Sequence, residues 1–182
     1  GDTPDNCKRI NDGDTIGMGR VKLDVVHTPG HTIGEITLVW EEKGILFCGD
    51  HLLNDITPNV GVTLREGSHL SLLPDYMKSL EKTLSMPGNM AFPGHRDIIQ
   101  DFRSRASQIM RHHEERKNIM LSTIAYVEKN ASEISKIVFG RIALSEIPLA
   151  IAETMSHMKV LEDEGKVSSC RRGDVTYYHA NK

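Results

Sequence analysis

Cysteine is scarce, with only Cys7, Cys48 and Cys170 present, far apart and without a C-x-x-C pair. That excludes a disulfide framework and a structural zinc ribbon, and it favours a reducing, cytoplasmic setting. Long apolar runs are missing as well. The longest, Gly44-Ile45-Leu46-Phe47-Cys48-Gly49, has the length of a strand, against the about 20 residues of a spanning helix, so no membrane partner is expected. Charge of one sign is absent: 22 basic against 25 acidic side chains leave −3, and nothing global asks for nucleic acid. No secretory signal opens the chain, because Asp2 and Asp5 stand among its first residues. Gly1 in place of an initiator methionine, followed by a loop-like run, reads as a piece of something longer.

What is present is a soluble chain of 182 residues, 38% hydrophobic and 26% charged, enough for one domain and a small second one. Residues 21–27 and 35–41 read as strands, with Ile36, Leu38 and Trp40 on one face. Turn chemistry at Glu42-Lys43-Gly44 joins 35–41 to 45–48 as a hairpin. A loop is expected from Asn54 to Ser71. A helix follows, with Pro74 in its first turn and Met77, Leu80 and Leu84 on one face. Met90-Ala91-Phe92 reads as a short buried strand, and one long helix or two should connect onward from Ile98. The last fifty or so residues read as a helix at 133–139, a second short one near Ala143–Ala152, a third to Glu164 stopped by Gly165, and two strands around Arg172-Gly173-Asp174. That succession is the winged-helix order. The expected organisation is therefore 1–100, a connecting helix at 101–130, and a winged-helix-like unit at 131–182.

Three strings share one design: Thr28-Pro29-Gly30-His31, Cys48-Gly49-Asp50 and Phe92-Pro93-Gly94-His95. Each follows an expected strand and sets glycine directly before a side chain able to bind metal. Glycine lets the backbone turn sharply at a strand end, and proline stops the ladder. Three such turns on one sheet would bring His31, Asp50 and His95 to a common edge, and nitrogen and oxygen donors suit zinc or a similar metal.

These strings resemble the metallo-β-lactamase superfamily, in its second half: HTPGHTIGEITL, ILFCGDHLL and AFPGHRDII are similar to its third, fourth and fifth metal motifs. The resemblance implies an α/β fold, the second half of an αββα sandwich, followed by the small winged-helix domain of one subgroup. It implies His31 on a first metal, His95 on a second and Asp50 bridging them as the catalytic carboxylate. Two zinc ions are implied per complete site, with iron or manganese as alternatives. The family's H-x-H-x-D-H run is absent from these residues, and the adjacent pair His112 and His113 would lie about 100° apart on a helix and cannot replace it. The implied activity is hydrolysis of an ester, thioester or phosphodiester-type bond by a metal-activated hydroxide, with weak metal binding and no turnover by this chain alone.

Small-molecule substrates are expected, with single-stranded RNA near the metal site as the subgroup's alternative. The rival function is a winged-helix module that binds nucleic acid or protein beside a metal-free fold. Against it, seven basic and seven acidic residues between 132 and 182 cancel, where phosphate affinity needs clustered positive charge. An uncovered apolar sheet face would drive self-association into a homo-oligomer. Of the other polar residues, His27 is expected half-buried at its strand end and His51 packed on the opposite side from Asp50. Thr32 should steady His31 or cap the next turn. Arg96 and Asp97 flank a ligand, and Arg96 should pair with a carboxylate. His69, His112, His113, His157 and His179 are expected on the surface.

Overall fold

In the computed structural model, residues 8–65 and 68–181 are described. Gly1, Asp2, Asp5, Cys7, Gly67 and Lys182 lie outside them, and so does the side chain of His69. The chain runs β1 (Thr15–Met18), β2 (Val21–His27), β3 (Ile36–Trp40), β4 (Ile45–Gly49), β5 (Val62–Arg65), β6 (Ser68–Ser71), α1 (Leu73–Leu84), β7 (Met90–Pro93), α2 (Phe102–Thr123), β8 (Lys129–Asn130), α3 (Ala131–Phe139), α4 (Ile147–Asp163), β9 (Val167–Arg172) and β10 (Val175–Ala180). A five-stranded sheet has the order β1-β2-β3-β4-β7. Its first four strands form an antiparallel meander, and β7 returns through α1 to lie parallel to β4.

Strand alternation gives this sheet two apolar faces. On one, Val39, Leu46, Cys48 and Ala91 pack under Leu73, Tyr76 and Leu80 of α1 and Phe102, Ala106 and Ile109 of α2. Cys48 is fully enclosed, and burial pushes its thiol up to about 12, so it behaves as a small hydrophobe. The other face carries Ile36, Leu38 and Trp40, all partly buried. Val25, Leu38, Phe47 and Phe92 run across it in register. The Phe47 and Phe92 rings lie 5.6 Å apart, and Phe47 is 38% exposed. Val25 at the end of this row is buried, and Leu38 and Phe92 are half-buried.

The segment expected as loop between Asn54 and Ser71 contains the β5–β6 hairpin. Its strands, four residues each, are too short to show a period, and Pro58 and Gly61 just before them read as loop. Their support comes from α4, where Ser156 Oγ shares a buried 2.7 Å hydrogen bond with Ser71 Oγ.

At the far end of α2, a second core joins Met120 of that helix, Ile124 at its C-cap, Ile134 of α3, Met158 and Leu161 of α4, Val167 and Tyr178. The long helix thus serves both cores, and Asp101 caps it by accepting from the Ser104 amide at 3.0 Å. Asn130 and Glu133 form a reciprocal capping box at the start of α3. The two helices expected between Ala143 and Glu164 are a single 17-residue helix after a short 3-10 turn at Leu144–Glu146. Pro148 sits in the first turn, where its missing N–H costs nothing, so the helix starts there and runs through. β8, β10 and β9 complete a three-stranded sheet.

Candidate metal centre at the strand ends

Strand direction decides where the three turns fall. β2 and β4 flank the antiparallel β3, so they point the same way, and β7 is parallel to β4. The turns after β2, β4 and β7 therefore emerge at one edge of the sheet. His31, Asp50 and His95 meet there: His95 Nδ1 lies 2.7 Å from Asp50 Oδ1 and 3.0 Å from Oδ2, and His31 Nε2 lies 3.9 Å from Oδ2. The His31, Asp50 and His95 side chains are 33%, 23% and 74% exposed, so this cluster is an open rim that solvent and solutes reach.

Local packing holds the turns. At Gly30, φ is +155°, and an added Cβ would come within 2.4 Å of the Tyr76 ring, so only hydrogen fits between the His31 turn and α1. Gly94 leaves room for Asp50, whose Oδ1 would stand 3.1 Å from a Cβ there. Asn59 O accepts a 2.9 Å hydrogen bond from His31 Nδ1. A carbonyl cannot donate, so Nδ1 carries the proton and the Nε2 lone pair is free on the side facing Asp50.

Glu35 belongs to this site and sequence reasoning missed it. It lies just before β3, and its Oε2 is buried without a partner. Desolvation raises its carboxyl above the ordinary range, opposed by His31 and by the backbone amides of Thr32 and Asp50. Glu35 thus stands between the His31 and Asp50 turns. The signal for it was an acidic residue between the small, polar Thr-Ile-Gly turn and an apolar strand.

Other residues fall elsewhere. His27 Nε2 bonds Ile33 O at 2.9 Å, away from the cluster. His51 is buried behind Asp50, bonded to Thr83 Oγ1 at 2.8 Å, and burial pushes it down to about 3. Arg96 pairs with Asp55 at 3.7 Å, and His179 is exposed.

His113 and His157, expected on the surface, are 1% and 0% exposed. Helix α2 is covered on two sides, by the sheet layer and by α4, and a polar pattern on one helix does not reveal the second cover. His113, Glu153 and His157 bring donor atoms within 4.8 Å of one another, as a metal site would. The fit is poor. Glu153 already pairs with Arg116 and accepts from Asn59 Nδ2 at 3.2 Å, and a guanidinium so close opposes a cation. The cluster is a hydrogen-bonded junction between helices. Beside it opens a cleft of about 730 Å³, lined by Asn59, Arg111, His112, Arg116, Phe139 and Leu149 among others.

The donor set at the strand ends is less tightly gathered than the 4.8 Å of the buried cluster, but its chemistry suits a metal better: two imidazoles, one carboxylate with no lysine or arginine on it, and an unpartnered buried Glu35 oxygen beside them. Comparison with known proteins agrees with this reading of the fold. The family model of the metallo-beta-lactamase superfamily matches residues 3–95. The beta-lactamase-like protein 2 homolog of Drosophila melanogaster is 31% identical over 159 residues, 85% of this chain and 50% of its own. A probable metallo-hydrolase of Bacillus subtilis is 25% identical over 171 residues, 91% of this chain and 54% of its own. Among solved structures, a metallo-beta-lactamase family protein from Thermus thermophilus superposes on 98% of this chain and 56% of its own, at TM-score 0.85 and 31% identity. A beta-lactamase domain protein from Burkholderia ambifaria covers 99% and 54%, at TM-score 0.90 and 26% identity. The chain thus spans about half the length of the curated relatives it matches. With its strand-end turns and helix-backed sheet, the chain belongs to the metallo-beta-lactamase superfamily.

Proposed function

We propose that this chain contributes half of the active centre of a metal-dependent hydrolase, with His31, Asp50 and His95 as ligands. The observation that carries the proposal is the meeting of these three side chains at the ends of three co-directional strands. The family membership and a relative named as a probable metallo-hydrolase support it. Bound divalent metals, zinc first and iron or manganese as alternatives, would supply a water acidified to near neutrality and a Lewis acid for the developing oxyanion.

The chain's own residues set the rest. Asn59 fixes the tautomer of His31 so that Nε2 faces the centre. Asp50 presents both oxygens toward the imidazoles and neutralises cationic charge there. Glu35 lies between the two turns. The bond acted on would be of ester, thioester or phosphodiester type and would lie on the open rim. The family's H-x-H-x-D-H run, which would supply further ligands, is not among these residues, so weak metal affinity and no turnover are proposed for this chain alone.

The C-terminal helices and hairpin are proposed as a winged-helix unit with a packing role. The arginines that would touch nucleic acid are paired, Arg171 with Asp174 at 3.4 Å and Arg172 with Glu128. This favours a small-molecule substrate over single-stranded RNA. No helix among the described residues is long and apolar enough to cross a membrane, and the cytoplasm is the proposed location.

Zinc affinity by chelator competition, on the parent chain and on His31→Ala, Asp50→Ala and His95→Ala, tests the ligand set. The proposal expects each variant to weaken binding at least tenfold, and unchanged affinity in all three would overturn it.

A further inference from the structure

One stripe of α4 is built to receive the segment that carries Asn59. Leu149 O accepts from Asn59 Nδ2 at 3.2 Å, and Glu153 Oε2 accepts from the same amide nitrogen at 3.2 Å. Ala152 packs so closely on Gly61 that a Cβ there would stand 3.3 Å from its methyl group. One turn further on, Ser156 holds Ser71. Positions 149, 152, 153 and 156 share a face at helical spacing. Between these anchors, Pro58 and Val60 are buried, so the strap from Pro58 to Gly61 is clamped at both ends.

The carbonyl of Asn59 is what accepts from His31 Nδ1. We infer that Asn59 is a positioning residue, through which α4 fixes the tautomer and ring orientation of His31. The inference rests on the reading of His31 as a ligand. A ligand's second nitrogen commonly needs such a partner, whose loss costs about 10–100-fold in metal affinity. Here the partner is a backbone atom, so its placement depends on what holds that backbone, and the Asn59 side chain does so from the far side. Glu153 is held in turn by Arg116, and both line the neighbouring cleft. Whatever engages Glu153 there therefore acts on the His31 ring through two hydrogen bonds, and whatever engages Arg116 through three, without touching the centre.

The test needs no metal. Long-range ¹H–¹⁵N spectra of the histidine-labelled chain, at mildly alkaline pH, read the tautomer of each imidazole. The parent should show His31 as a single Nδ1–H form. Asn59→Ala keeps the carbonyl and deletes both side-chain anchors, and it should give a mixture of His31 tautomers. Asn59→Ser, which retains one donor, should fall between. The His51 signal and the melting temperature control for folding. A His31 in Asn59→Ala that keeps the parent's tautomer overturns the inference. Zinc affinity, measured in parallel, should fall about tenfold in Asn59→Ala. A changed tautomer with unchanged affinity keeps the positioning role and counts instead against His31 as a ligand.

Discussion

His113 and His157 face each other across the α2–α4 interface, with Nδ1 of the first 3.2 Å from Nε2 of the second. His157 Nδ1 donates to Glu153 O at 2.8 Å, so its Nε2 must accept from His113. Both rings are neutral in the fold. Burial is the first cause of their lowered pKa values, with Arg116 and His112 adding to the effect, and on His113 the His157 ring as well.

The sign of the pH effect follows. Unfolded histidines take up protons as pH falls below about 6.5, whereas His51, His113 and His157 in the fold resist protonation. Stability contributed by these three is full above that pH and is lost as pH falls toward their folded-state values, with His51 holding out to about 3. Each histidine contributes a slope of up to about 1.4 kcal/mol per pH unit. Urea midpoints measured from pH 7 to pH 4 should fall steeply, and His157→Phe should flatten the curve. A parent whose midpoint is constant over that range contradicts the neutral assignment.

Gly30→Ala should destabilise the chain by about 1–3 kcal/mol, because the new methyl collides with Tyr76. Tyr76 has nowhere to go, since it is buried and its hydroxyl donates to His51 O at 2.8 Å. The same substitution should weaken zinc binding, since His31 is the next residue. Denaturant titration and chelator competition on one preparation check both outcomes. A variant as stable as the parent would mean the turn is looser than the 2.4 Å approach indicates.

The exposed sheet face makes a different prediction. Phe47, Leu38 and Phe92 lie in register, Phe47 exposed and the other two half-buried, and contiguous apolar surface drives association. The chain should self-associate at high concentration, and Phe47→Glu should reduce this while leaving the helix-backed core unchanged. Light scattering decides it. A clean monomer for the parent would remove the proposed homo-oligomer.

Much of the site could be read from the chain because each turn carries its own geometry. Pro29-Gly30 and Pro93-Gly94 announce a strand end and a sharp exit, and the next residue must project from it. The order of strands then places all three exits on one edge. Glu35 was hidden because a lone acid before a strand looks like solvent-facing polarity, and only the approach of two turns encloses it. His113 sits among charged residues on α2, so its helix read as solvent-exposed, and the packing of α4 on its far side is a tertiary event. The expected break after Ala152 is absent for a local reason: once Pro148 has started the helix in its first turn, no glycine or proline interrupts Leu149–Asp163, so α4 runs on.

Metal should collect at the strand ends and not at the buried histidine pair. Crystals of the chain soaked in zinc, with anomalous diffraction collected at the zinc edge, test it most directly. The account predicts the strongest anomalous peak among His31 Nε2, Asp50 and His95. A peak between His113, Glu153 and His157, with none at the sheet edge, would contradict it.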